Sequence, residues 1–232
     1  GNYPDSEIIV SSYAADLANR MNTNVQQIMD SHEYKRLFPN IRLPGSAGDP
    51  GRRVPGSKKK RTDEFFQLVG RNGSLRSAGV GGGITGMGFN LGIIDDPIKD
   101  AEEGASQTIR DNVWDWYLST FYTRRTGFNT PGGGDNSARS LLTMTRWHED
   151  DLAGRLIKLA KEEPDADQWE IIKIPAMSYG ERTPGDPRKE DDVGLWEAST
   201  TLNTKELNTT RKNFPRHFWT SMFQQAPVTE GG

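Results

Sequence analysis

The stretch Leu91-Gly92-Ile93-Ile94-Asp95-Asp96-Pro97 decides the fold, because an apolar run here ends in two acidic residues. A short apolar run bounded by turn residues predicts a buried β-strand. Such a strand in a parallel sheet presents Asp95 at the C-terminal edge, where it can hold Mg²⁺ through water, and Asp96 can polarise an attacking water. This is the pattern of a Walker B site. The same residues are also typical of a strand followed by a plain Asp-Pro turn.

Strand-like and helical segments alternate on both sides of this stretch. The sequence predicts further strands over residues 6–10, 65–69, 74–80, 140–145 and 169–174, and helices over 13–29, 32–38, 101–123, 150–161 and 204–223. The first of these helices has its apolar face at Leu17, Met21, Val25 and Ile28. This order predicts an α/β fold with a mostly parallel sheet that is covered by helices on both faces.

Composition excludes several classes of protein. The 232 residues are 33% apolar and 26% charged, as in a globular protein rather than a disordered one. The absence of cysteine excludes disulfides, thiolate metal sites and a cysteine nucleophile, and three histidines argue against a multi-histidine zinc site. No apolar run reaches the roughly 18 residues of a transmembrane helix. With a net charge of −3, any contact with DNA must come from a local patch.

A glycine cluster at residues 79–88 contains the spacing G-x-G-x-x-G at Gly81, Gly83 and Gly86. A dinucleotide-binding site would require this spacing to follow a strand and begin a helix, whereas here it leads into a strand. We therefore reject that interpretation. Two alternatives stay open: a flexible loop at the edge of the sheet, or a loop whose backbone approaches a phosphate or DNA.

Another candidate stretch runs over residues 143–156, where a predicted strand ends in the hydroxyls of Thr143 and Thr145. Acidic residues at 149–151 then precede a helix, as the helix dipole and N-terminal capping favour. The alternative is that these acids and His148 hold a metal ion.

A basic tract without intervening acidic residues consists of Arg52, Arg53, Lys58, Lys59, Lys60 and Arg61. Such a run is typical of solvated surface. It could also contact the phosphates of DNA, with an affinity that falls steeply as salt rises.

Four stretches together resemble the large terminase subunit, the DNA-packaging ATPase motor of tailed bacteriophages and prophages. They are residues 7–20, 77–100, 143–156 and 218–232, in the order of the family and across nearly the whole chain. IIDDP and TRWHEDDLAGR are the specific motifs, and the glycine loop only supports them.

The resemblance implies a RecA-like ASCE fold and roles for particular residues. Asp95 matches the Mg²⁺-holding Walker B acid, and Asp96 stands at the position of the catalytic carboxylate, which is more often Glu. Thr143 and Thr145 match the coupling motif that links the nucleotide state to movement. The arginine finger expected in a ring motor has four candidates, Arg76, Arg124, Arg125 and Arg146, and DNA contact is expected from the basic tract.

The resemblance also implies that this chain is the middle of a longer protein. No Gly-Lys pair and hence no P-loop occurs in it, so the Walker A segment is expected upstream of Glu7 and a nuclease domain after Gly232. We expect an ATPase portion over residues 1–180, a linker subdomain over 181–232, and an unpaired sheet edge beside the Thr143 strand. We therefore expect the chain alone to hydrolyse ATP poorly.

The implied function is ATP-driven packaging of double-stranded DNA into a capsid, with ATP and Mg²⁺ as cofactors. The implied partners are the portal protein, the small terminase subunit and further copies in a ring, in the host cytoplasm and without a membrane. Two rivals remain. One is a metal-dependent DNA nuclease that uses Asp95 and Asp96 with the acids at 149–151. The other is a module that binds DNA or a partner and hydrolyses nothing.

Overall fold

Five strands form one mixed sheet in the computed structural model, which describes residues 4–46, 61–84, 86–127, 138–179 and 186–228. The strands are β1 (Glu7–Ser12), β2 (Phe65–Gln67), β3 (Ser74–Gly79), β4 (Leu91–Asp95) and β5 (Arg139–Thr143). Their order in the sheet is β2-β3-β1-β4-β5. Only β2 is antiparallel to its neighbour. The predicted α/β fold with a mostly parallel sheet is confirmed, and the RecA-like assignment stays a prediction.

Helices flank the sheet and make up most of the remaining regular structure. They are α1 (Ala15–Asp30), α2 (His32–Leu37), α3 (Ala101–Ala105), α4 (Gln107–Trp116), α5 (Leu152–Glu162), α6 (Thr204–Asn213) and α7 (Arg216–Phe218). A π-helical turn (Tyr117–Phe121) and a 3₁₀ turn (Tyr122–Arg124) extend α4, and a second π-helical turn (Trp219–Phe223) extends α7.

Helix α1 buries a face next to the apolar one that its spacing predicts, while Met21 and Val25 of the predicted face still pack against the core. Its buried residues are Ala18, Asn22, Gln26 and Met29. Ile28, which was predicted to lie on the apolar face, is 61% exposed. The reason is that Asn22 and Gln26 bond to each other, and Asn22 bonds to Ser77 of β3, so these polar groups are satisfied inside the protein.

Strand β4 packs closely against an aromatic cluster because it contains Gly92. A Cβ added at Gly92 would overlap the rings of Phe89 and Phe121, which are both fully buried. These two rings lie 4.7 Å apart between centroids, and Trp116 also contacts Phe121. The strand that ends in Asp95 is therefore held in place by large buried side chains.

The prediction of a single helix over residues 101–123 is wrong, because the helix is interrupted at Ser106. Asp100 caps α3 by accepting a hydrogen bond from the Glu103 N–H, at 3.0 Å. Ser106 adopts an extended backbone that ends α3. Its hydroxyl then accepts from the Ile109 N–H at 3.4 Å, which begins α4. Apolar periodicity continues across the break, so it could not reveal this local capping.

The predicted strand over residues 169–174 is also wrong. This segment has no regular secondary structure, and Ile171 and Ile172 are 48% and 65% exposed. Alternating apolar residues form a strand only beside another strand, and none pairs with them in the described part of the chain. The predicted helix over 204–223 is interrupted at Phe214 and Pro215, because proline disfavours helical backbone in the residue before it.

Contacts divide the chain into two compact units. The first consists of Gly1–Lys99 and Asp111–Met144, and the second consists of Asp100–Arg110 and Thr145–Gly232. The predicted boundary at 180–181 falls within the second unit, at positions outside the described residues, and stays a prediction. Among the described helices, none is long and apolar enough to cross a membrane.

Candidate functional site

Four parallel strands of the first unit end at the same edge of the sheet. In the pairing register Ser12 of β1 lies opposite both Gly79 of β3 and Asp95 of β4, and Asp95 lies opposite Thr143 of β5. The C-terminal edge therefore brings together a hydroxyl, a carboxylate and a second hydroxyl on three adjacent strands. This is the edge at which open α/β sheets bind ligands.

The backbone at Asp96 turns away from β4 in an uncommon conformation. Its φ of +42° lies in the left-handed region, which non-glycine residues rarely adopt, although aspartate tolerates it better than most. The turn is fixed on both sides: the Asp96 N–H donates to the Thr143 carbonyl at 2.8 Å, and the Asp96 carbonyl accepts from the Tyr13 N–H at 3.0 Å. A non-glycine residue held in this way is a candidate for function.

The carboxyl group of Asp95 is held where its charge is disfavoured. Burial raises its pKa above the model-peptide value of 3.8, and the negative charge of Asp96 raises it further. In the described part of the chain no lysine or arginine forms an ion pair with Asp95. Two adjacent carboxylates in this environment favour a cation.

Two serines before this edge were missed by the sequence interpretation. Ser11 and Ser12 are fully buried, and neither hydroxyl has a hydrogen-bond partner among the described residues. A pair of polar residues at the end of an apolar run was the available signal. Buried hydroxyls without partners are uncommon, so they mark this edge as polar and unsatisfied.

The glycine cluster connects β3 to β4, as predicted, and begins no helix. Gly81 and Gly86 have positive φ angles of 78° and 81°, which other L-residues rarely adopt. Gly79 is the last residue of β3 and lies close to the first residue of α1. A Cβ added at Gly79 would lie 2.9 Å from the Ala15 nitrogen. The helix that a dinucleotide fingerprint requires does not follow this spacing in the described part of the chain, and an approach of this loop to phosphate or DNA stays a prediction.

The acids at the start of α5, in the second unit, are engaged by arginines. Asp151 is fully buried, caps α5 by accepting from the Gly154 N–H at 2.9 Å, and receives the Nε of Arg146 at 2.8 Å. Asp150 pairs with Arg155 at 2.7 Å. These contacts favour the capping interpretation over a metal site. Among the described residues no group of three or more His, Asp or Glu is placed to hold a metal.

The remaining predicted site residues are dispersed. Thr145 is the first residue of the second unit after β5. Arg76 donates to the Met87 sulfur at 2.8 Å, and the Arg125 guanidinium lies 4.6 Å from the centre of the Tyr122 ring. The buried Nε of Arg124 has no partner in the described part. No arginine is singled out as a finger.

Most of the predicted DNA-binding tract, Arg52, Arg53, Lys58, Lys59 and Lys60, lies outside the described residues. Arg61 is described, and its guanidinium contacts Asp30 at 2.6 Å and Gln26 at 2.7 Å. Arg61 thus has a structural partner on α1. A role of the tract in binding DNA stays a prediction.

A family model described as the N-terminal part of the T4likevirus-type terminase large subunit matches residues 1–213. The chain belongs to this family of phage large terminases. No curated protein matches it in sequence. The resemblance drawn from the IIDDP and TRWHEDDLAGR motifs is confirmed, and membership places the terminase chain among the proteins of viral DNA-packaging motors.

Proposed function

We propose that the C-terminal edge of the sheet is the ATP-hydrolysing site of this terminase, with Asp95 as the magnesium-holding acid and Asp96 as the catalytic carboxylate. The observation that carries the proposal is the hydrogen bond from the Asp96 N–H to the Thr143 carbonyl, which joins the ends of β4 and β5. Both acids and the first threonine of the coupling motif therefore share one small region.

The donor atoms at this edge suit the proposed group. Carboxylate and hydroxyl oxygens are the ligands that Mg²⁺ prefers, and a cation would offset the burial and the repulsion from Asp96 that disfavour the charge of Asp95. When bound, Mg²⁺ would neutralise negative charge on the triphosphate. The strand order, with β4 between β1 and β5, is compatible with a RecA-like sheet.

The proposed roles of Asp96 and Thr143 depend on where the backbone holds them. The backbone of Asp96 is fixed at the end of β4, and as a base the Asp96 carboxylate would accept hydrogen bonds from an attacking water. A shift at the end of β5 would move the Thr143 carbonyl and hence Asp96. This link suits Thr143 and Thr145 as the coupling motif between the nucleotide state and the movement of double-stranded DNA.

The partners follow from the family and remain part of the proposal. A packaging terminase would act with the portal protein and the small terminase subunit, and as a ring of copies. The arginine finger would come from Arg76, Arg124, Arg125 or Arg146.

Steady-state ATP turnover by the intact terminase tests the proposed role of Asp95. Asp95→Asn keeps the size of the side chain but removes its charge, so we expect turnover to fall about 100-fold or more and the Mg²⁺ requirement to rise. Asp63→Asn, an exposed aspartate of the same unit, is the matched control and should leave turnover unchanged. Near wild-type turnover of Asp95→Asn at low Mg²⁺ would remove Asp95 from the site.

A further inference from the structure

A cavity of about 530 Å³ lies in the second unit, and it is formed by residues between 173 and 179 and by residues between 211 and 226. Its size is within the range of about 300–1,000 Å³ that is usual for small-ligand sites. The residues that give it its character are Lys173, Tyr179, Arg211, Phe214, Arg216 and Trp219. None of them belongs to the proposed ATPase site.

The charge of the cavity is positive. Three of its lining side chains are cationic, and no acidic residue is among those that line it in the described part of the chain. Arg211 donates to the neutral Tyr179 hydroxyl at 2.7 Å, and its guanidinium lies 5.6 Å from the centre of the Tyr179 ring. Arg216 is exposed and forms no ion pair with any described residue. Asp192 does not line the cavity, but its carboxylate interacts with the Tyr179 hydroxyl.

The same cavity has aromatic surfaces. Phe214 and Tyr179 are 39% and 36% exposed, so both rings are accessible from solvent. Trp219 is buried and stacks on Phe223, with the ring centroids 4.9 Å apart. The rings therefore include two that are accessible to a ligand and one that is fixed in the wall.

The walls of the cavity are held in place by hydrogen bonds. Arg188 donates to the Pro175 carbonyl at 2.6 Å and forms a buried ion pair with Asp186 at 2.8 Å. The Ala176 N–H donates to the Phe223 carbonyl at 2.7 Å. This arrangement orders both sides of the cavity before any ligand binds, which reduces the entropy that binding would cost.

The C-terminal dipole of α6 explains only part of the positive charge. Basic residues are favoured in the last turn of a helix, and Arg211 and Lys212 both lie there. Lys212 does not line the cavity, however, and Arg216 belongs to the following helix. The dipole also gives no reason for two exposed rings beside the cations.

We propose that this cavity binds a nucleotide unit, with the phosphate between Arg211 and Arg216 and the base against Phe214 and Tyr179. Arginine forks match phosphate oxygens, and exposed rings stack on bases of any sequence. The unit could come from a free nucleotide or from a nucleic acid single strand. A base paired inside a duplex cannot reach the rings.

Binding of a labelled oligothymidylate, measured by fluorescence anisotropy on the 232-residue chain without ATP, tests the proposal. We expect Arg216→Ala to weaken binding about tenfold and to reduce the salt slope by about 0.7. Phe214→Leu should weaken binding about fivefold, because it keeps apolar bulk but removes stacking. Lys212→Ala is the matched control and should change the affinity less than about twofold, since it removes a charge outside the cavity.

Competition then separates the two sources. Displacement of the oligothymidylate by thymidine monophosphate supports a pocket for free nucleotides as well, and failure of the monophosphate to compete supports a strand. The proposal is overturned if the oligonucleotide does not bind, or if Arg216→Ala and Lys212→Ala have equal effects. It is also overturned if duplex DNA binds as well as the single strand, or if inorganic phosphate competes as well as the monophosphate.

Discussion

Polar residues are buried or half-buried in several places in the first unit, and two of these places treat them in opposite ways. On the inner side of α1 they form a polar seam, which consists of Asn19, Asn22, Gln26, Asp30, Arg61 and Ser77. Each is joined to another by a hydrogen bond: Ser77 donates to Asn19 at 2.7 Å, Gln26 to Asn22 at 2.9 Å, and Arg61 to both Gln26 and Asp30. At the C-terminal edge of the sheet, the buried hydroxyls of Ser11 and Ser12 have no partner among the described residues.

The aspartates in the two places show the contrast most clearly. Burial alone would raise the pKa of Asp30, but hydrogen bonds from Ser46, Arg61 and Lys35 outweigh it and lower the pKa to about 2. For Asp95 burial is reinforced by Asp96, and the pKa rises. The polar seam therefore stabilises the fold. At the C-terminal edge the ionised carboxylate of Asp95 lowers the stability of the fold, as expected at a ligand-binding site.

The largest stability effect is expected in the polar seam. Asp30→Asn removes the charge that Arg61 and Lys35 contact at 2.6 and 3.2 Å and leaves the half-buried guanidinium of Arg61 without its counterion. Because both partners are partly exposed, we expect a loss of about 1–2 kcal/mol in the free energy of unfolding at pH 7. Urea denaturation measures it. A change no larger than that of Asp63→Asn would remove the distinction between seam and surface.

A smaller effect of the opposite sign is expected at the edge. Asp95→Asn removes a charge that burial and Asp96 both disfavour, so the free energy of unfolding should rise by about 0.5 kcal/mol at pH 7 after allowance for solvent screening. The same urea experiment measures this gain. A loss as large as that of Asp30→Asn would mean that Asp95 is a structural residue.

The contributions of Asp30 and Asp95 to the free energy of unfolding should also depend on pH in opposite directions. The stabilisation from Asp30 is fully present above its unfolded-state pKa of 3.8 and is lost as the pH falls towards 2. The destabilisation from Asp95 is absent below 3.8 and develops as the pH rises through its elevated folded-state pKa. Urea titrations between acidic and neutral pH, on the wild type and both variants, measure the two slopes. Parallel slopes would contradict the contrast.

The sequence predicted the parts of this contrast that follow from local pattern. The apolar run before Asp95 and its turn residues were sufficient for β4. The apolar run over 140–145 predicted β5 as well, although that strand ends at Thr143, two residues before its predicted end. The left-handed backbone of Asp96 was not predictable, because the Thr143 and Tyr13 hydrogen bonds that fix it come from other segments.

The polar seam was missed for a related reason. Apolar spacing predicted Ile28 on the buried face, and it gave no signal that Asn22 and Gln26 would be buried. Their burial depends on Ser77 of β3 and on Thr62, which lie 55 and 36 residues away in sequence. A polar face becomes a buried face only when distant partners satisfy it, and no local pattern encodes those partners.

Asp96 provides the most direct test of the proposal that the C-terminal edge of the sheet is the ATP-hydrolysing site. The test measures steady-state ATP turnover of the intact terminase. Asn tolerates the left-handed backbone as well as Asp does, so Asp96→Asn removes the proposed base without straining the turn. Asp192→Asn is the matched control, because Asp192 also has a positive φ, of 57°. We predict that turnover falls about 100-fold or more for Asp96→Asn and stays unchanged for Asp192→Asn. Turnover of Asp96→Asn close to that of the wild type would contradict the assignment of this edge as the catalytic site.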